Sequence, residues 1–172
     1  MPELLLISKG NQYTCLYDQE DSELISRFSW YLNSNGYAIT SIEGKTVLMH
    51  RLILGLQDPK TFGDHKDGNR LNNCRSNIRT ATASENRRNS QKEKNCTSIY
   101  KGSYFESDRG LYHSQIGMAT KNGTKVYNLG RYHQEKMAAK AYDKRAVQLF
   151  GEFAYVNFAS SKESSQLTFP WI

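Results

Sequence analysis

Four side chains between residues 64 and 86 have the types and spacing that suit hydrolysis of a phosphodiester bond. Asp64 directly precedes His65, Asn77 lies 12 residues after that histidine, and Asn86 follows nine residues later. An imidazole can take a proton from water near pH 7. A carboxylate oxygen can hold a divalent cation that neutralises the phosphate and the departing oxyanion. These residue types favour metal-dependent cleavage, with His65 as the base and Asp64 in the metal site.

A strand, a loop, a second strand and the start of a helix are needed to bring these side chains together. The dipeptide Asp67-Gly68 is typical of a tight turn and predicts that the chain reverses direction there. Residues 78–80 favour a short strand. Thr82 and Glu85 have the spacing of a capping box, which predicts a helix that begins there and carries Asn86 in its first turn. We therefore expect the metal ion to lie between a strand and this helix.

The ordered set of residues is similar to that of the HNH nucleases, which are also called ββα-metal nucleases. The resemblance rests on Asp64-His65, Asn77 and Asn86. The sequence around them is similar to that of phage homing endonucleases. The upstream segment His50-Arg51-Leu52 also matches the segment that precedes the motif in the family. The resemblance implies that His65 is the general base and that Asp64 and Asn86 bind the metal. It also implies that Asn77 braces the loop that holds His65 in place.

The ligand types indicate which metal this site would take. The third position of the motif is asparagine, where many members of the family have histidine. Two oxygen ligands without a metal-bound imidazole favour one Mg²⁺ or Mn²⁺ ion per site over Zn²⁺. Cys15, Cys74 and Cys96 form no C-x-x-C pair, so neither a cysteine zinc site nor a disulfide framework is indicated.

Positive charge is concentrated after the first thirty residues. The net charge is −3 over residues 1–32, +5 over residues 33–98 and +4 over residues 99–172, which sum to +6. A basic surface favours binding of a polyanion such as DNA, and a solvated basic face is the alternative interpretation of any single arginine. Six arginines around the motif are expected to contact phosphates: Arg51, Arg70, Arg75, Arg79, Arg87 and Arg88.

The sequence predicts neither a membrane segment nor an export signal. No uninterrupted apolar run is longer than four residues, as in Leu4 to Ile7, and roughly 20 apolar residues are needed to cross a bilayer. The first residues lack the basic start, apolar stretch and small-residue cleavage site of a secretory signal. We expect a cytoplasmic protein, in the host cytoplasm if it is phage-encoded, with no obligate protein partner.

A second module follows the polar, charged stretch 91–98, which is typical of a linker. Residues 99–105, 112–118 and 125–132 have strand-like patterns, and residues 134–150 carry apolar side chains at the three- and four-residue spacing of a helix. These patterns predict a three-stranded antiparallel sheet packed on one helix.

Alternation along the predicted strands assigns side chains to the two faces of this sheet. Ile116, Met118 and Val126 are expected to face the helix. Asn128 looks like an extra residue that would form a bulge. The outward-facing residues are predicted to be His113, Gln115, Gly117, Lys125 and Tyr127.

Residues 99–158 resemble the apetala/ethylene-response-factor DNA-binding domain. The helix sequence Ala-Ala-Lys-Ala-Tyr-Asp at residues 138–143 is the most specific part of the resemblance. In that family the sheet lies in the major groove, which implies that the sheet of this chain contacts DNA. Several of the family's arginines and tryptophans are replaced here, so its base preference does not transfer. The matching positions are Lys101, Tyr104, Gln115, Lys125 and Tyr127.

Together these patterns predict an α+β protein, built from a ββα-metal HNH module and a three-stranded antiparallel sheet packed on one helix. We expect an HNH nuclease domain with a β-rich N-terminal support at residues 1–90, a linker at 91–98, an apetala/ethylene-response-factor-like domain at 99–158 and a tail at 159–172. The predicted function is that of a metal-dependent, homing-type endonuclease that nicks or cuts double-stranded DNA. The alternative is a non-cleaving, sequence-specific DNA-binding regulator that retains the HNH fold.

Overall fold

Four antiparallel sheets and four α-helices form residues 2–90 and 97–158, the part of the chain that the computed structural model describes. The mixture of small sheets and helices is compatible with the expected α+β class. The chain divides into two compact units, Met1–Arg87 and Arg88–Ile172. Residues 91–96 of the predicted linker and the predicted tail at 159–172 lie outside the described residues. No helix in the described part is long and apolar enough to cross a membrane.

The first unit begins with a hairpin around the turn-forming residues Ser8 to Asn11. Its tight turn places Lys9 and Gly10 at positive φ values of 50° and 79°, the conformation that two-residue hairpin turns require. A three-stranded sheet and the β6–β7 hairpin follow. In order, the elements are β1 (Glu3–Ser8), β2 (Asn11–Leu16), α1 (Ser22–Ser26), β3 (Tyr31–Leu32), β4 (Ala38–Ile42), β5 (Lys45–Leu48), α2 (Met49–Ile53), β6 (Phe62–His65), β7 (Ile78–Ala81) and α3 (Ala83–Asn89).

The sequence of residues 50–57 favours a helix that Asp58-Pro59 would stop, but the helix in the structure is shorter. α2 ends at Ile53, and Gly55 follows with a φ of 65°. A left-handed glycine just past the last turn is a common way for a helix to end, so this glycine, rather than Pro59, stops the helix. The core that surrounds α2 consists of Leu6, Cys15, Ile25, Trp30, Ala38, Met49, Ile53 and Ile78.

The second unit has the predicted sheet of three antiparallel strands followed by a helix. The strand order is β10-β9-β8, and the core lies between this sheet and α4. The first strand begins at Ser103 rather than at residue 99, because the left-handed φ of 79° at Gly102 interrupts extended backbone. Glycine is also needed there because a side chain would overlap the Tyr142 ring. The elements are β8 (Ser103–Glu106), β9 (Leu111–Thr120), β10 (Gly123–Tyr132) and α4 (Glu135–Phe150).

The predicted faces of β10 were wrong at Val126, Lys125 and Tyr127. Tyr127 pairs with Ile116, which is buried against α4, whereas Val126 is 58% exposed. The cause is the bulge predicted at Asn128, which the structure places between Asn128 and Gly130. One extra residue reverses the alternation of faces along a strand. The alternation of inward and outward residues after the bulge is therefore reversed before it, at Val126.

Candidate active site

The β6–β7 hairpin and α3 supply the strand, loop, strand and helix start that the motif requires. Asp64 lies opposite Arg79 in the hairpin, and β7 leads into α3 through Thr82. The capping box is confirmed: the Thr82 amide donates to Glu85 at 2.8 Å, and the Glu85 amide donates to the Thr82 hydroxyl at 3.3 Å. Asn86 begins the helical hydrogen bonding by donating from its amide to the Thr82 carbonyl at 3.0 Å.

The loop between β6 and β7 is folded around the side chain of Asn77. Its amide nitrogen donates to the Asp67 carboxylate at 2.9 Å and to the Asn72 carbonyl at 2.8 Å, and its oxygen accepts from the Asp67 amide at 3.1 Å. Gly68 has the expected turn conformation, with a φ of 74°. The turn only opens the connection, because the loop runs on to Asn77 before β7 begins. Both ends of the loop are therefore tied together by one side chain.

Asp64 is buried in an ion pair with Arg79. The Arg79 Nε and Nη2 atoms donate to the same carboxylate oxygen at 2.9 and 2.7 Å. The two side chains are 5% and 9% exposed. The predicted phosphate contact of Arg79 is therefore not supported by its position, because its guanidinium is directed inward to the carboxylate.

His65 is 4% exposed and has one of its ring nitrogens beside an amide oxygen. Nε2 lies 3.4 Å from the Oδ1 atom of Asn73. An amide oxygen can only accept, so this contact is a hydrogen bond in the tautomer that carries its proton on Nε2. Burial lowers the pKa of His65, although Asn73, Asp67 and Asp64 oppose the shift. The imidazole is therefore neutral at pH 7, which is the form that can accept a proton.

Two further aromatic rings surround His65, and one of them was not anticipated. The ring of His50 lies 4.8 Å from that of His65 between centroids, and Tyr37 lies 6.0 Å from His65 and 5.6 Å from His50. Gly63 permits this packing, because a side chain there would overlap the His50 ring. Tyr37 comes from the turn before β4 and has no sequence signal that connects it to the motif.

The structure predicts that acid destabilises the first unit through His50. Burial is the main cause that lowers the pKa of His50 to about 3, and electrostatic interactions with His65 and Arg51 lower it further in the same direction. As the pH decreases, His50 is therefore protonated near pH 6.5 in the unfolded chain but only near pH 3 in the folded chain. Stability is fully present above pH 6.5 and falls as the pH decreases, by about 2 kcal/mol at pH 5.

Urea denaturation of wild type and of His50→Phe at pH 7 and pH 5 would measure this effect. The variant lacks the titrating group, so we expect its stability to change less between the two pH values. The exposed His133 provides a matched control, and His133→Phe should retain the full wild-type pH dependence. Equal pH dependence of wild type and His50→Phe would contradict the prediction.

Three of the other predicted phosphate-contacting arginines bind partners within the first unit. Arg51 donates to the carbonyls of Leu56, Asp58 and Thr61. Arg75 pairs with Glu20 and with the buried Asp21. Arg70 donates to the Asn35 carbonyl and lies over the Tyr37 ring. Of the remaining two, Arg87 is exposed and Arg88 lies over the Phe150 ring.

The donor set of the predicted metal site suits a hard cation. Within residues 2–90 and 97–158, no three His, Cys, Asp or Glu side chains form a group that could hold a metal ion. Asp64 and Asn86 would contribute a carboxylate and an amide oxygen. Mg²⁺ usually binds through one or two carboxylates, with water and substrate phosphate completing its shell. The residues therefore fit Mg²⁺ or Mn²⁺ and do not form a closed zinc site.

In the second unit, the predicted DNA-contacting residues are separated by the sheet. We call the face of the sheet opposite α4 the outer face. Tyr104 and Gln115 belong to it, and Tyr104 hydrogen-bonds there to His113 at 2.6 Å. His113 was expected to be exposed there and is only 7% exposed. Lys125 pairs with Met118 and Tyr127 pairs with Ile116. Both residues therefore lie on the face that packs against α4, and neither lies on the outer face.

Lys101 is also placed differently from its expected role. Its Nζ atom donates to the carbonyls of Arg88 and Ser90 at 3.0 and 2.5 Å and lies 5.1 Å from the centre of the Tyr155 ring. Burial lowers the pKa of Lys101 to about 8. Its ammonium group holds two backbone carbonyls instead of extending into solvent.

Comparison with known proteins identifies the family. No family model matches the chain, and no solved structure matches it. A protein of Acanthamoeba polyphaga mimivirus described as an uncharacterized HNH endonuclease is 32% identical over 157 residues. The match covers 88% of this chain and 79% of the relative, so it extends into both units. By this similarity, the chain belongs to the HNH endonuclease family.

Proposed function

We propose that the protein is a metal-dependent endonuclease that hydrolyses phosphodiester bonds in double-stranded DNA. The observation that carries the proposal is the neutral, buried His65 next to the carboxylate of Asp64, on a hairpin that leads directly into α3 and Asn86. The similarity to the mimivirus protein described as an HNH endonuclease supports the same reaction class.

His65 is the general base in this proposal. Its imidazole takes a proton from the water molecule that attacks the phosphorus, and the bond from phosphorus to the leaving oxygen breaks. Asn73 would help to orient the ring through its contact with Nε2, at 3.4 Å. Asn77 keeps the loop closed around Asp67, so it acts through the position of the loop rather than on the substrate.

Asp64 and Asn86 would hold one Mg²⁺ or Mn²⁺ ion. When bound, the ion supplies positive charge to the scissile phosphate and to the departing oxyanion. An ionised carboxylate offers about four acceptor positions on its two oxygens, and Arg79 uses two of them on one oxygen. Arg79 therefore orients the Asp64 carboxylate in the hairpin, and a cation would share that carboxylate with it.

The second unit is proposed to select the DNA sequence at which the enzyme acts, which we call its address role. Its outer sheet face carries Tyr104 and Gln115 among polar neighbours, and sheets of this kind can enter the major groove. The resemblance to the apetala/ethylene-response-factor domain supports this role. In the same proposal the enzyme is of the homing type, is phage-encoded and acts in the cytoplasm of the host.

A plasmid assay tests the reaction and the metal site. We expect nicked or linear plasmid with Mg²⁺ or Mn²⁺ and intact plasmid with a chelator. Asp64→Ala and Asn86→Ala should each require more Mn²⁺ to reach half-maximal rate, because each removes one oxygen ligand. Ser84→Ala, which changes an exposed side chain in the same helix, should leave the titration unchanged.

Two outcomes of this assay would contradict the proposal. An unchanged Mn²⁺ titration in both ligand variants would remove Asp64 and Asn86 from the metal site. Binding of DNA without any strand break at every metal concentration would identify the protein as the non-cleaving regulator.

A further inference from the structure

Glu106 and Arg131 form an ordered pair on the outer face of the second unit's sheet. In the sheet, Arg131 of β10 pairs with His113 of β9, which in turn pairs with Tyr104 of β8. Paired residues of antiparallel strands point to the same side, so these three side chains share the outer face. The Nε atom of Arg131 donates to Glu106 at 2.7 Å, and its Nη2 atom donates to the other carboxylate oxygen at 3.3 Å. The guanidinium is thus held side-on by one carboxylate.

This pairing leaves the end of the guanidinium available for a second bidentate partner. Arginine has five N–H groups in a planar fork, and the carboxylate uses one on Nε and one on Nη2. The remaining three include one from each terminal nitrogen that point along the side chain. The Arg131 side chain is 34% exposed, so these donors can reach a ligand placed on the sheet.

Glu106 is itself fixed by its neighbours, and its side chain is only 14% exposed. The Nδ1 atom of His113 lies 2.8 Å from one carboxylate oxygen and 2.6 Å from the Tyr104 hydroxyl. Hydrogen bonding to Arg131 lowers the pKa of Glu106, so the carboxylate is ionised at neutral pH. An arginine held in this way loses little conformational freedom when it binds.

The charge around Arg131 favours a base edge over a phosphate. The ionised Glu106 already balances the charge of Arg131, which weakens the attraction of Arg131 for a phosphate. Arg109 lies 3.9 Å from the same carboxylate and is itself balanced by Asp108 at 3.6 Å. The major-groove edge of guanine is uncharged and offers two acceptors, O6 and N7, with the spacing of the arginine fork. Adenine and cytosine each present a donor at the corresponding groove position, which would face the N–H groups of Arg131.

We propose that Arg131 recognises a guanine in the major groove of the DNA target and that Glu106 is the positioning residue that orients it. The inference rests on the proposed function, in which the outer face of this sheet lies on duplex DNA.

Selection from a random DNA pool tests the inference with the full-length protein in the presence of a chelator. Wild type should select a motif that contains at least one guanine specified by Arg131. Arg131→Ala should lose the preference at that position and retain the others. A bidentate contact should contribute roughly 5- to 150-fold in affinity over the wrong base. Lys140→Ala, which removes one exposed charge from α4, should select the wild-type motif.

Replacement of the selected guanine by 7-deazaguanine removes only the N7 acceptor and tests the contact directly. Wild type should bind the modified site several-fold more weakly, whereas Arg131→Ala should bind both sites equally. Glu106→Gln should reduce guanine discrimination while leaving binding to random DNA equal or stronger, because it removes a negative charge from the DNA-facing surface. A purely structural role of Glu106 would not separate these two quantities.

The outcomes distinguish this inference from the proposed function. If wild type selects a guanine-containing motif and Arg131→Ala selects the same motif, the inference is overturned and the address role of the unit stands. Equal weakening of all sequences by Arg131→Ala would assign Arg131 to a phosphate and also overturn it. If wild type binds DNA without sequence preference, the proposed address role fails, and the inference fails with it.

Discussion

Replacement of His65 by alanine should slow DNA cleavage by roughly 10²–10⁴-fold, which is the usual contribution of a general base. DNA affinity should remain close to that of wild type, because the residues proposed to contact DNA are elsewhere. Single-turnover cleavage at saturating Mn²⁺ and binding in a chelator measure the two quantities separately. Equal losses of cleavage and affinity would be evidence against His65 as the base.

Because His65 is 4% exposed, alanine at this position also removes buried contacts. His65→Gln provides a second variant that keeps a polar side chain near Asn73 and cannot act as a base near pH 7. It should fold as wild type does and lose the same rate. His133→Ala changes an exposed histidine of the second unit and should retain full activity. If His65→Gln kept the wild-type rate, the base assignment would be wrong.

Replacement of Arg79 by methionine should destabilise the first unit by about 3–5 kcal/mol, the cost of leaving a buried charge without its partner. Asp64 is 5% exposed and accepts two hydrogen bonds from Arg79. The double variant Asp64→Leu/Arg79→Met removes both charges and should recover much of this loss, because apolar replacements of a buried pair are often neutral. Urea denaturation followed by tryptophan fluorescence would measure the free energy of unfolding.

A surface ion pair provides the matched control for Arg79. Arg27 and Glu23 form an i,i+4 pair with side chains 61% and 84% exposed, and such pairs contribute about 0–1 kcal/mol. Arg27→Met should therefore change stability far less than Arg79→Met. Similar losses in the two variants would contradict the buried-pair interpretation. The buried pair also affects Asp64→Ala, which leaves Arg79 without this partner. The metal titration of Asp64→Ala should therefore be measured at a temperature where the variant is folded.

The sequence by itself determined the features that depend on neighbouring residues. The Lys9-Gly10 turn, the Thr82–Glu85 capping box and the α4 helix follow from backbone preferences and periodicity within a few residues. The ordered Asp64-His65 motif also identified the family, because its chemistry is carried by residue types at set intervals.

Tertiary structure alone decided which partners these residues meet. A single bulged residue in β10 placed Val126 outward and Tyr127 inward. The partners of Arg51 and Arg79 are backbone carbonyls and a buried carboxylate, although their residue type suggested phosphates. Such pairings depend on how distant segments return to one another, and local propensity contains no information about that return.

The candidate site shows the same division. The sequence located His65, but its neutral form results from burial beside the rings of Tyr37 and His50, which come from other segments. Glu106 and Arg131 are 25 residues apart in the chain and meet only because β8 and β10 flank β9. The pKa of a group and the orientation of a guanidinium depend on the surrounding atoms, and only the folded chain specifies those surroundings.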